Sequence, residues 1–87
     1  MRNYTVYILQ SVKDKGYYIG QTENLPSRLK KHERGQVRST QHRRPLIFIK
    51  SEVYTTRGQA RKRENYLKSL KGGNEFKKIV SYYSGVV

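Results

Sequence analysis

The chain has 87 residues with 19 Lys and Arg against 6 Asp and Glu, a formal net charge of +13, and it contains no cysteine. The absence of cysteine excludes disulfides, thiolate metal sites and thiol nucleophiles, and it is compatible with a reducing cytoplasm. Because only 34% of the residues are hydrophobic, we expect one domain over residues 1–87 with a single thin core. No segment approaches the roughly 20 apolar residues of a membrane span, so we expect a cytoplasmic protein without a membrane partner.

The excess of positive charge predicts a polyanionic partner. Small stable domains commonly carry a net charge of about 2–8 in magnitude, and a larger excess repels itself unless an anion is bound. The basic residues are spread through a foldable pattern that includes Lys30-Lys31, Arg43-Arg44 and Arg61-Lys62-Arg63, which argues against a disordered basic tail. Nucleic acid is the partner that this pattern favours, with an anionic membrane surface and an acidic protein as the alternatives.

Two short strands are predicted near the start of the chain. Residues 3–10 carry apolar side chains at both even and odd positions, which is typical of a strand covered on both faces in the middle of a sheet. The polar segment 13–16 ends in glycine, as a hairpin connection should. A second strand is therefore predicted from Tyr17 to about Thr22.

A helix is predicted after the second strand. Asn24 is a suitable N-cap and Gly35 a suitable end, because each residue type is favoured at that position of a helix. Leu25, Leu29 and His32 are spaced at i, i+4 and i+7, so we expect them to share one helix face.

The second half of the chain predicts one more strand and two more helices. A polar, basic loop over residues 36–45 precedes a third strand over residues 46–54. Thr56 and Gln59 have the spacing of a capping box that begins the second helix, and Asn74 can begin the last one. The apolar stripes of these helices consist of Ala60, Leu67 and Leu70 and of Phe76, Ile79, Val80 and Tyr83. The order β-β-α-β-α-α predicts an α+β fold, a three-stranded antiparallel sheet flanked by helices.

Glu64 is the acidic residue whose predicted position is most informative. At about 100° per residue it falls on the rim of the apolar stripe of the second helix, where a carboxylate should pair with a cation or a base. An i,i+4 pair with Lys68, worth about 0.2–0.5 kcal/mol, is the simpler interpretation. The other acids fall on predicted turns, helix starts or exposed faces, where ordinary solvation explains them: Asp14, Glu23, Glu33, Glu52 and Glu75.

Arg28 and His32 are four residues apart on the first predicted helix and project together. A guanidinium can hold a phosphate through two parallel hydrogen bonds, and an imidazole beside it could take a proton. A partly buried histidine that completes the Leu25–Leu29 stripe is the alternative. Gly20 directly follows an apolar strand, where the missing side chain permits the close approach of another group.

An ordered set of residues resembles the GIY-YIG nuclease superfamily. The set comprises Tyr7, the run Tyr18-Ile19-Gly20, Arg28 and Glu64. The similarity covers nearly the whole chain, from Tyr4 to about Val80, and it is to the small standalone bacterial members of the superfamily. These members are similar to the catalytic domain of the UvrC excision-repair nuclease.

The resemblance implies a function for each matching residue. It implies that the hydroxyls of Tyr7 and Tyr18 face the cleft and activate or place the attacking water, without deciding which of them is the general base. It implies that Arg28 holds the scissile phosphate, and His32 matches a histidine present in part of the superfamily. Glu64 matches the glutamate that ligates a single divalent cation, Mg²⁺ or Mn²⁺.

Three positions depart from the pattern of the superfamily. The first motif reads Thr5-Val6-Tyr7, so it retains only its tyrosine. Gln21 stands where some members have a lysine. The asparagine that some members have after the metal-binding glutamate would fall near Phe76, and Asn74 is the nearest residue of that type.

The resulting hypothesis is a metal-dependent endonuclease that hydrolyses phosphodiester bonds in DNA rather than RNA, on structured or single-stranded substrates, as in DNA repair. The residues expected to bind the nucleic acid are Gly20, Lys31, Arg43, Arg44 and Arg61. Because the chain has no second domain to choose a target, a targeting partner protein is a further expectation. The alternatives are a non-catalytic nucleic-acid-binding module with the nuclease fold and, after it, an interaction protein with an acidic partner.

Overall fold

The computed structural model describes residues 3–83. Three strands and three α-helices follow one another in the order β-β-α-β-α-α, which confirms the predicted α+β fold. In chain order they are β1 (Tyr4–Ser11), β2 (Tyr17–Thr22), α1 (Leu25–Glu33), β3 (Leu46–Tyr54), α2 (Arg57–Ser69) and α3 (Asn74–Tyr83). A short 3-10 turn at Gln41–Arg43 lies in the loop between α1 and β3. None of the helices within residues 3–83 combines the length and the apolar character that crossing a membrane requires.

The sheet has the strand order β2-β1-β3, and both pairs are antiparallel, so β1 is central as predicted. Tyr7 of β1 lies opposite Gly20 of β2 and Ser51 of β3. Because successive side chains of a strand point to opposite faces, Val6 and the other even-numbered residues of β1 face one side and Tyr7 and the other odd-numbered ones face the other. We call the side that carries Val6 the core face and the side that carries Tyr7 the site face.

The core face is covered by α2 and α3 and holds the apolar core. Six buried residues form one cluster: Val6, Ile8, Ala60, Leu67, Phe76 and Val80. Leu70 and Ile79 are partly buried and pack against it, so the predicted stripes of both helices are confirmed for these residues. The side chain of Tyr83, which the same pattern assigned to the stripe, lies outside the described part of the chain.

An ion-pair network extends the core face along β3 and shows that the prediction for Glu52 was wrong. Glu52 lies opposite Val6 and accepts hydrogen bonds from Lys50 (2.7 Å), Tyr54 (2.9 Å) and Arg63 of α2 (2.8 and 3.1 Å). It is therefore enclosed and paired rather than simply solvated. Burial by itself would raise the pKa of Glu52, but the hydrogen bonds from Arg63, Lys50 and Tyr54 outweigh burial and lower the pKa to about 2.

Helix α1 and the loop after it cover the site face. The side chain of Asn24 accepts a hydrogen bond from the Ser27 backbone N–H and caps the helix as predicted. Gly35 follows the helix at a φ of 77°, a left-handed conformation that favours glycine. The Arg44 guanidinium lies over Gly35 and donates to the carbonyl of Glu33 at 3.1 Å, so it satisfies an orphan carbonyl at the end of α1.

Candidate active site

The hydroxyl of Tyr7 is the centre of a buried hydrogen-bonded cluster on the site face. The Tyr7 side chain, on the central strand, is fully buried. Its hydroxyl oxygen lies 2.8 Å from His32 Nε2 and accepts a hydrogen bond of 3.3 Å from Arg28 Nε. Arg28 and His32 are one helical turn apart on α1, so a single helix delivers both partners to one oxygen atom.

Both ring nitrogens of His32 have hydroxyl partners. Nδ1 lies 2.8 Å from the hydroxyl oxygen of Thr40, and Nε2 lies 2.8 Å from that of Tyr7. The Thr40 hydroxyl is also 3.4 Å from the Val37 carbonyl, which accepts the backbone N–H groups of Thr40 and Gln41. His32 therefore joins Thr40 to Tyr7 in one chain of buried hydrogen bonds, in which the tautomer sets the direction of each bond.

Burial shifts the pKa values of both aromatic groups toward their neutral forms. Burial raises the pKa of Tyr7 to about 12, and the hydrogen bond from Arg28 opposes that rise only in part. Burial, together with the positive charge of Arg28, lowers the pKa of His32 to about 4. At neutral pH Tyr7 is therefore a hydroxyl and His32 an uncharged hydrogen-bond acceptor.

Gly20 and Tyr18 complete the cluster from β2. The Tyr18 ring lies 6.0 Å from the Tyr7 ring and 5.0 Å from the His32 ring, measured between centroids. A Cβ atom on Gly20 would lie 2.8 Å from the Tyr7 hydroxyl oxygen and 2.9 Å from the Tyr18 ring. The close approach predicted for Gly20 is thus confirmed, because no side chain fits between the two tyrosines. Tyr18 is partly exposed whereas Tyr7 is not, so Tyr18 carries the more accessible hydroxyl.

Glu64 of α2 contacts Gln21, the residue after Gly20 on β2, whose side chain points to the opposite side of that strand. Gln21 donates from Nε2 to Glu64 Oε1 at 3.0 Å, and Lys68 Nζ lies 2.8 Å from Glu64 Oε2. The predicted i,i+4 pair with Lys68 is therefore present. The Glu64 side chain is 14% exposed and Lys68 is 53% exposed, so the lysine can leave the carboxylate more easily than Gln21 can.

The oxygen donors around Glu64 fit a hard divalent cation that keeps part of its water shell. Gln21 Oε1 is buried and has no hydrogen-bond partner among the described residues, so the pair offers a carboxylate and an unused amide oxygen. Within residues 3–83, no group of three or more His, Cys, Asp and Glu side chains could form a complete protein shell. Mg²⁺ commonly binds through one or two carboxylates plus water and substrate phosphate, and Glu64 is suited to that mode.

The residues predicted to bind nucleic acid are placed in three different ways. Lys31 and Arg61 are exposed on α1 and α2. Arg43 bonds to Asp14 through Nε (3.1 Å) and Nη2 (3.4 Å). Arg44 donates to the Gln41 carbonyl in the loop and to the Glu33 carbonyl at the end of α1. Gly20 is buried between the tyrosines. The structure therefore places the side chains of Lys31 and Arg61 in solvent and ties those of Arg43 and Arg44 to the fold.

Sequence reasoning missed Thr40, whose hydroxyl lies 2.8 Å from His32 Nδ1. Thr40 is fully buried although it lies in the polar 36–45 loop, where nothing in its neighbours distinguishes it from Ser39. The loop reaches the site because Arg43 holds it to the hairpin. The backbone carbonyl of Arg43 accepts a hydrogen bond of 2.6 Å from the Ser11 hydroxyl, and its guanidinium pairs with Asp14. These contacts depend on tertiary placement, so a pattern within one sequence segment carries no signal for them.

Comparison with known proteins agrees with the fold and with the family resemblance. The chain is similar to a UPF0213 protein of Staphylococcus haemolyticus, at 30% identity over 80 residues covering 91% of this chain and 96% of the relative. It is also 36% identical to a UPF0213 protein of Staphylococcus aureus over 70 residues, covering 79% and 84% of the two chains. The solution NMR structure of a UPF0213 protein from Bacillus halodurans is similar with a TM-score of 0.64 and 29% identity, covering 97% of this chain and 88% of that one. The model of the GIY-YIG catalytic domain matches residues 3–78, and the chain therefore belongs to the GIY-YIG family.

Proposed function

We propose that the chain is a divalent-metal-dependent endonuclease that hydrolyses phosphodiester bonds in nucleic acid, in DNA rather than RNA. The observation that carries the proposal is the Tyr7 hydroxyl, held between His32 Nε2 at 2.8 Å and Arg28 Nε at 3.3 Å. A binding module has no use for a buried hydroxyl with a proton acceptor on one side and a cation on the other. A hydrolase uses such an arrangement to direct a proton.

Arg28 is the residue that we assign to the scissile phosphate. The hydrogen bond to Tyr7 raises the pKa of Arg28 further above its usual range, so the guanidinium stays charged. The Nε–H of Arg28 donates its hydrogen bond to Tyr7. The Nη nitrogens of Arg28 are the atoms that form bidentate contacts with phosphate. Tyr7 thus fixes the direction in which Arg28 presents its charge.

The two tyrosines are assigned different roles. Tyr18 is partly exposed and orients the attacking water, whereas Tyr7 is buried. We assign the Tyr7 O–H to the Nε2 of neutral His32, with Thr40 at Nδ1. His32 and Thr40 then hold the Tyr7 hydroxyl in one orientation, and Tyr7 in turn orients Arg28 through the 3.3 Å hydrogen bond to its Nε.

Glu64 is assigned to the metal. When bound there, one Mg²⁺ or Mn²⁺ ion supplies Lewis-acid stabilisation of the charge that develops on the phosphate oxygens. Glu64 holds the ion through its carboxylate, and Gln21 keeps that carboxylate oriented through its 3.0 Å hydrogen bond. Lys68 occupies the second carboxylate oxygen and has to move aside, as its exposed side chain permits.

The exposed basic residues are assigned to the phosphate backbone. Lys31 and Arg61 are the predicted contacts whose side chains extend into solvent, and the net charge of +13 attracts the strand over a longer range. If about five phosphates are neutralised, the logarithm of affinity should fall against the logarithm of salt concentration with a slope near −4.5.

A non-catalytic binding module is the second candidate, and one observation favours it. Both oxygens of Glu64 already have partners, Gln21 and Lys68. A carboxylate that serves only this hydrogen bond and this ion pair needs no metal. Such a module would retain the basic surface and the fold without turnover.

Cleavage of labelled oligonucleotides separates the two candidates. Single-stranded, duplex, nicked, flapped and branched DNAs, with one RNA strand for comparison, are incubated with Mg²⁺, Mn²⁺ or EDTA. We expect metal-dependent cutting that Glu64→Ala abolishes and Tyr7→Phe reduces by about 10²–10⁴-fold, the usual range for a positioned acid–base group. Glu75→Ala, which removes an exposed carboxylate from the first turn of α3, is the control for the charge change.

The opposite results identify the binding module or a contaminant. Equal residual cutting by wild type and Glu64→Ala would point to a contaminating nuclease. No cutting by any variant, with salt-sensitive binding that improves in Glu64→Ala, would reject the enzyme for these substrates. In that case removing one negative charge strengthens phosphate binding and changes nothing else.

A further inference from the structure

A pocket of about 750 Å³ lies on the site face next to the Tyr7 cluster. It is enclosed by α1, the loop after α1 and the start of β3, and we call it the α1–β3 pocket. Its apolar lining comes from Leu9, Leu29 and Phe48, and His32 also contributes to its wall. The volume falls within the roughly 300–1,000 Å³ of small-molecule sites, and the shared His32 wall places the pocket directly beside the proposed catalytic cluster.

Phe48 gives the pocket an accessible aromatic surface. The residue is 46% exposed although it lies opposite Leu9 of the central strand. The β-bulge between the pairs at Ile8 and Leu9 lies at this point of the sheet. A large aromatic side chain held against the sheet, with much of its surface in solvent, is an unused stacking surface.

Polar groups line the same pocket and suit the edge of a nucleobase. Glu33 supplies a carboxylate acceptor, Gln41 an amide that can both donate and accept, and His42 an imidazole. Gln41 Nε2 lies 3.3 Å from His42 Nε2, so the two side chains form one hydrogen-bonding group. Carboxylates accept from exocyclic amines, and amides pair with the donor–acceptor edge of a purine. Lys13 and Arg44 add positive charge to the lining.

We propose that the α1–β3 pocket binds an unpaired nucleobase adjacent to the phosphate held at Arg28. The inference rests on the proposed function, because the proposed function assigns this phosphate to Arg28 in the Tyr7 cluster. A base needs an apolar surface for its ring, a polar edge to read and positive charge near its phosphate, and the pocket offers all three. A base stacked inside a duplex cannot enter the pocket without leaving its pair. The pocket therefore directs the protein to single-stranded or unpaired segments.

The test compares Phe48 with its neighbour on the strand. Phe48→Ala removes the stacking surface, Phe48→Tyr keeps it, and Ile47→Ala truncates a side chain of similar exposure, 49%, outside the pocket. Binding to single-stranded and duplex oligonucleotides is measured by fluorescence anisotropy in EDTA, where no cutting occurs. Because base–aromatic stacking is worth about 1–3 kcal/mol, we expect Phe48→Ala to bind the single strand roughly 5- to 150-fold more weakly. Phe48→Tyr, Ile47→Ala and all duplex affinities should stay within about twofold of wild type.

A second measurement needs no change in the protein. Wild-type protein is titrated with a short single strand and with the same strand carrying abasic residues throughout its centre. Both strands keep every phosphate, so electrostatic binding is equal. For the wild type, we expect the abasic strand to bind at least 5-fold more weakly than the intact strand. For Phe48→Ala, we expect the two strands to bind with equal affinity.

The outcomes separate this inference from the proposed function. A loss of affinity confined to Phe48→Ala and to the abasic strand supports the base pocket, whether or not the protein cuts DNA. Equal affinities for Phe48→Ala and Ile47→Ala, or for intact and abasic strands, overturn the base pocket even if metal-dependent cutting is observed. Equal loss on single-stranded and duplex DNA also overturns it, because that pattern indicates a general defect in binding.

Discussion

The two faces of the sheet are held to their helices by different physical means. On the core face, apolar side chains such as Val6 and Phe76 are buried against each other, and the Glu52 network closes the edge. On the site face, buried hydrogen bonds join Tyr7, His32 and Thr40 beside the buried apolar side chain of Leu9. Both faces meet on β1, so alternate residues of one strand serve the two purposes.

The comparison shows where a thin domain can place chemistry. Burying a hydroxyl and an imidazole costs free energy unless each polar atom finds a partner. The site face meets that condition with partners from α1 and from a loop, while the core face supplies the apolar burial that keeps the sheet folded. Apart from Glu64, which α2 carries beside Gln21, the proposed chemistry thus lies on the side of β1 opposite the apolar core, and separate variants can test each side.

The largest effect on stability is expected on the core face. Leu67→Ala removes a fully buried side chain from the apolar cluster and should lower the free energy of unfolding by about 2–5 kcal/mol, measured by urea denaturation. Val53→Ala, at an exposed position, is the control and should change it by less than about 0.5 kcal/mol. Cutting per folded molecule should be unchanged at low temperature, because Leu67 packs in the apolar cluster and supplies no group to the proposed site. A Leu67→Ala protein of unchanged stability would contradict this division.

The two faces should lose stability in different pH ranges. The folded-state pKa of His32 is lowered to about 4 from 6.5, so the unfolded chain binds a proton first and stability falls as pH drops from about 6.5 to 4. The pKa of Glu52 is lowered to about 2 from 4.5, so its contribution is present above 4.5 and is lost as pH falls from about 4.5 to 2. Each group changes the free energy of unfolding by at most about 1.4 kcal/mol per pH unit.

Urea denaturation at a series of pH values, on wild type and two variants, measures these ranges. His32→Gln should remove the slope between about pH 6.5 and 4 and keep the one below pH 4.5. Glu52→Gln should do the reverse. A slope between pH 6.5 and 4 that persists in His32→Gln would mean that His32 is not held in its neutral form.

The smallest effect is expected from Lys68→Ala, which tests the link between the faces at Glu64. Losing an exposed i,i+4 pair should cost about 0.2–0.5 kcal/mol of stability. Because Lys68 competes with a cation for the carboxylate, its removal should strengthen Mn²⁺ binding. The interaction between two unit charges at contact in water is about 1 kcal/mol, which corresponds to about fivefold in affinity. Electron paramagnetic resonance of free Mn²⁺ measures the affinity. Lys62→Ala, exposed on the same helix, is the control, and equal effects of the two would contradict a metal site at Glu64.

The fold was predictable because its signals are local and repeated. The apolar pattern of residues 3–10 placed β1 in the centre of the sheet, and the spacing of Ala60 and Leu67 gave the buried side of α2. Within the site, the spacing of Arg28 and His32 on one helix predicted that they project together. Their common partner, Tyr7, could be matched to them through the family motifs but not through spacing.

What could not be predicted depends on contacts between distant segments. Thr40 is buried because the loop that contains it folds back over α1, and Glu52 is enclosed because Arg63 of α2 reaches it on β3. Arg43 and Arg44 look like DNA contacts in the sequence because both are cations in a polar loop. In the fold, Arg43 pairs with Asp14 and Arg44 binds a carbonyl at the end of α1, so both charges also hold the loop in place.

The missing side chain at Gly20 has a consequence for how this protein can change over generations. A single added methyl group there would reach within 2.8 Å of the Tyr7 oxygen, so the smallest possible substitution would displace the group at the centre of the cluster. At Val53 and Ile47, by contrast, the residues are 62% and 49% exposed, so a different side chain can extend into solvent. Tolerance to mutation is thus low at Gly20, although glycine is the residue with the smallest side chain to replace.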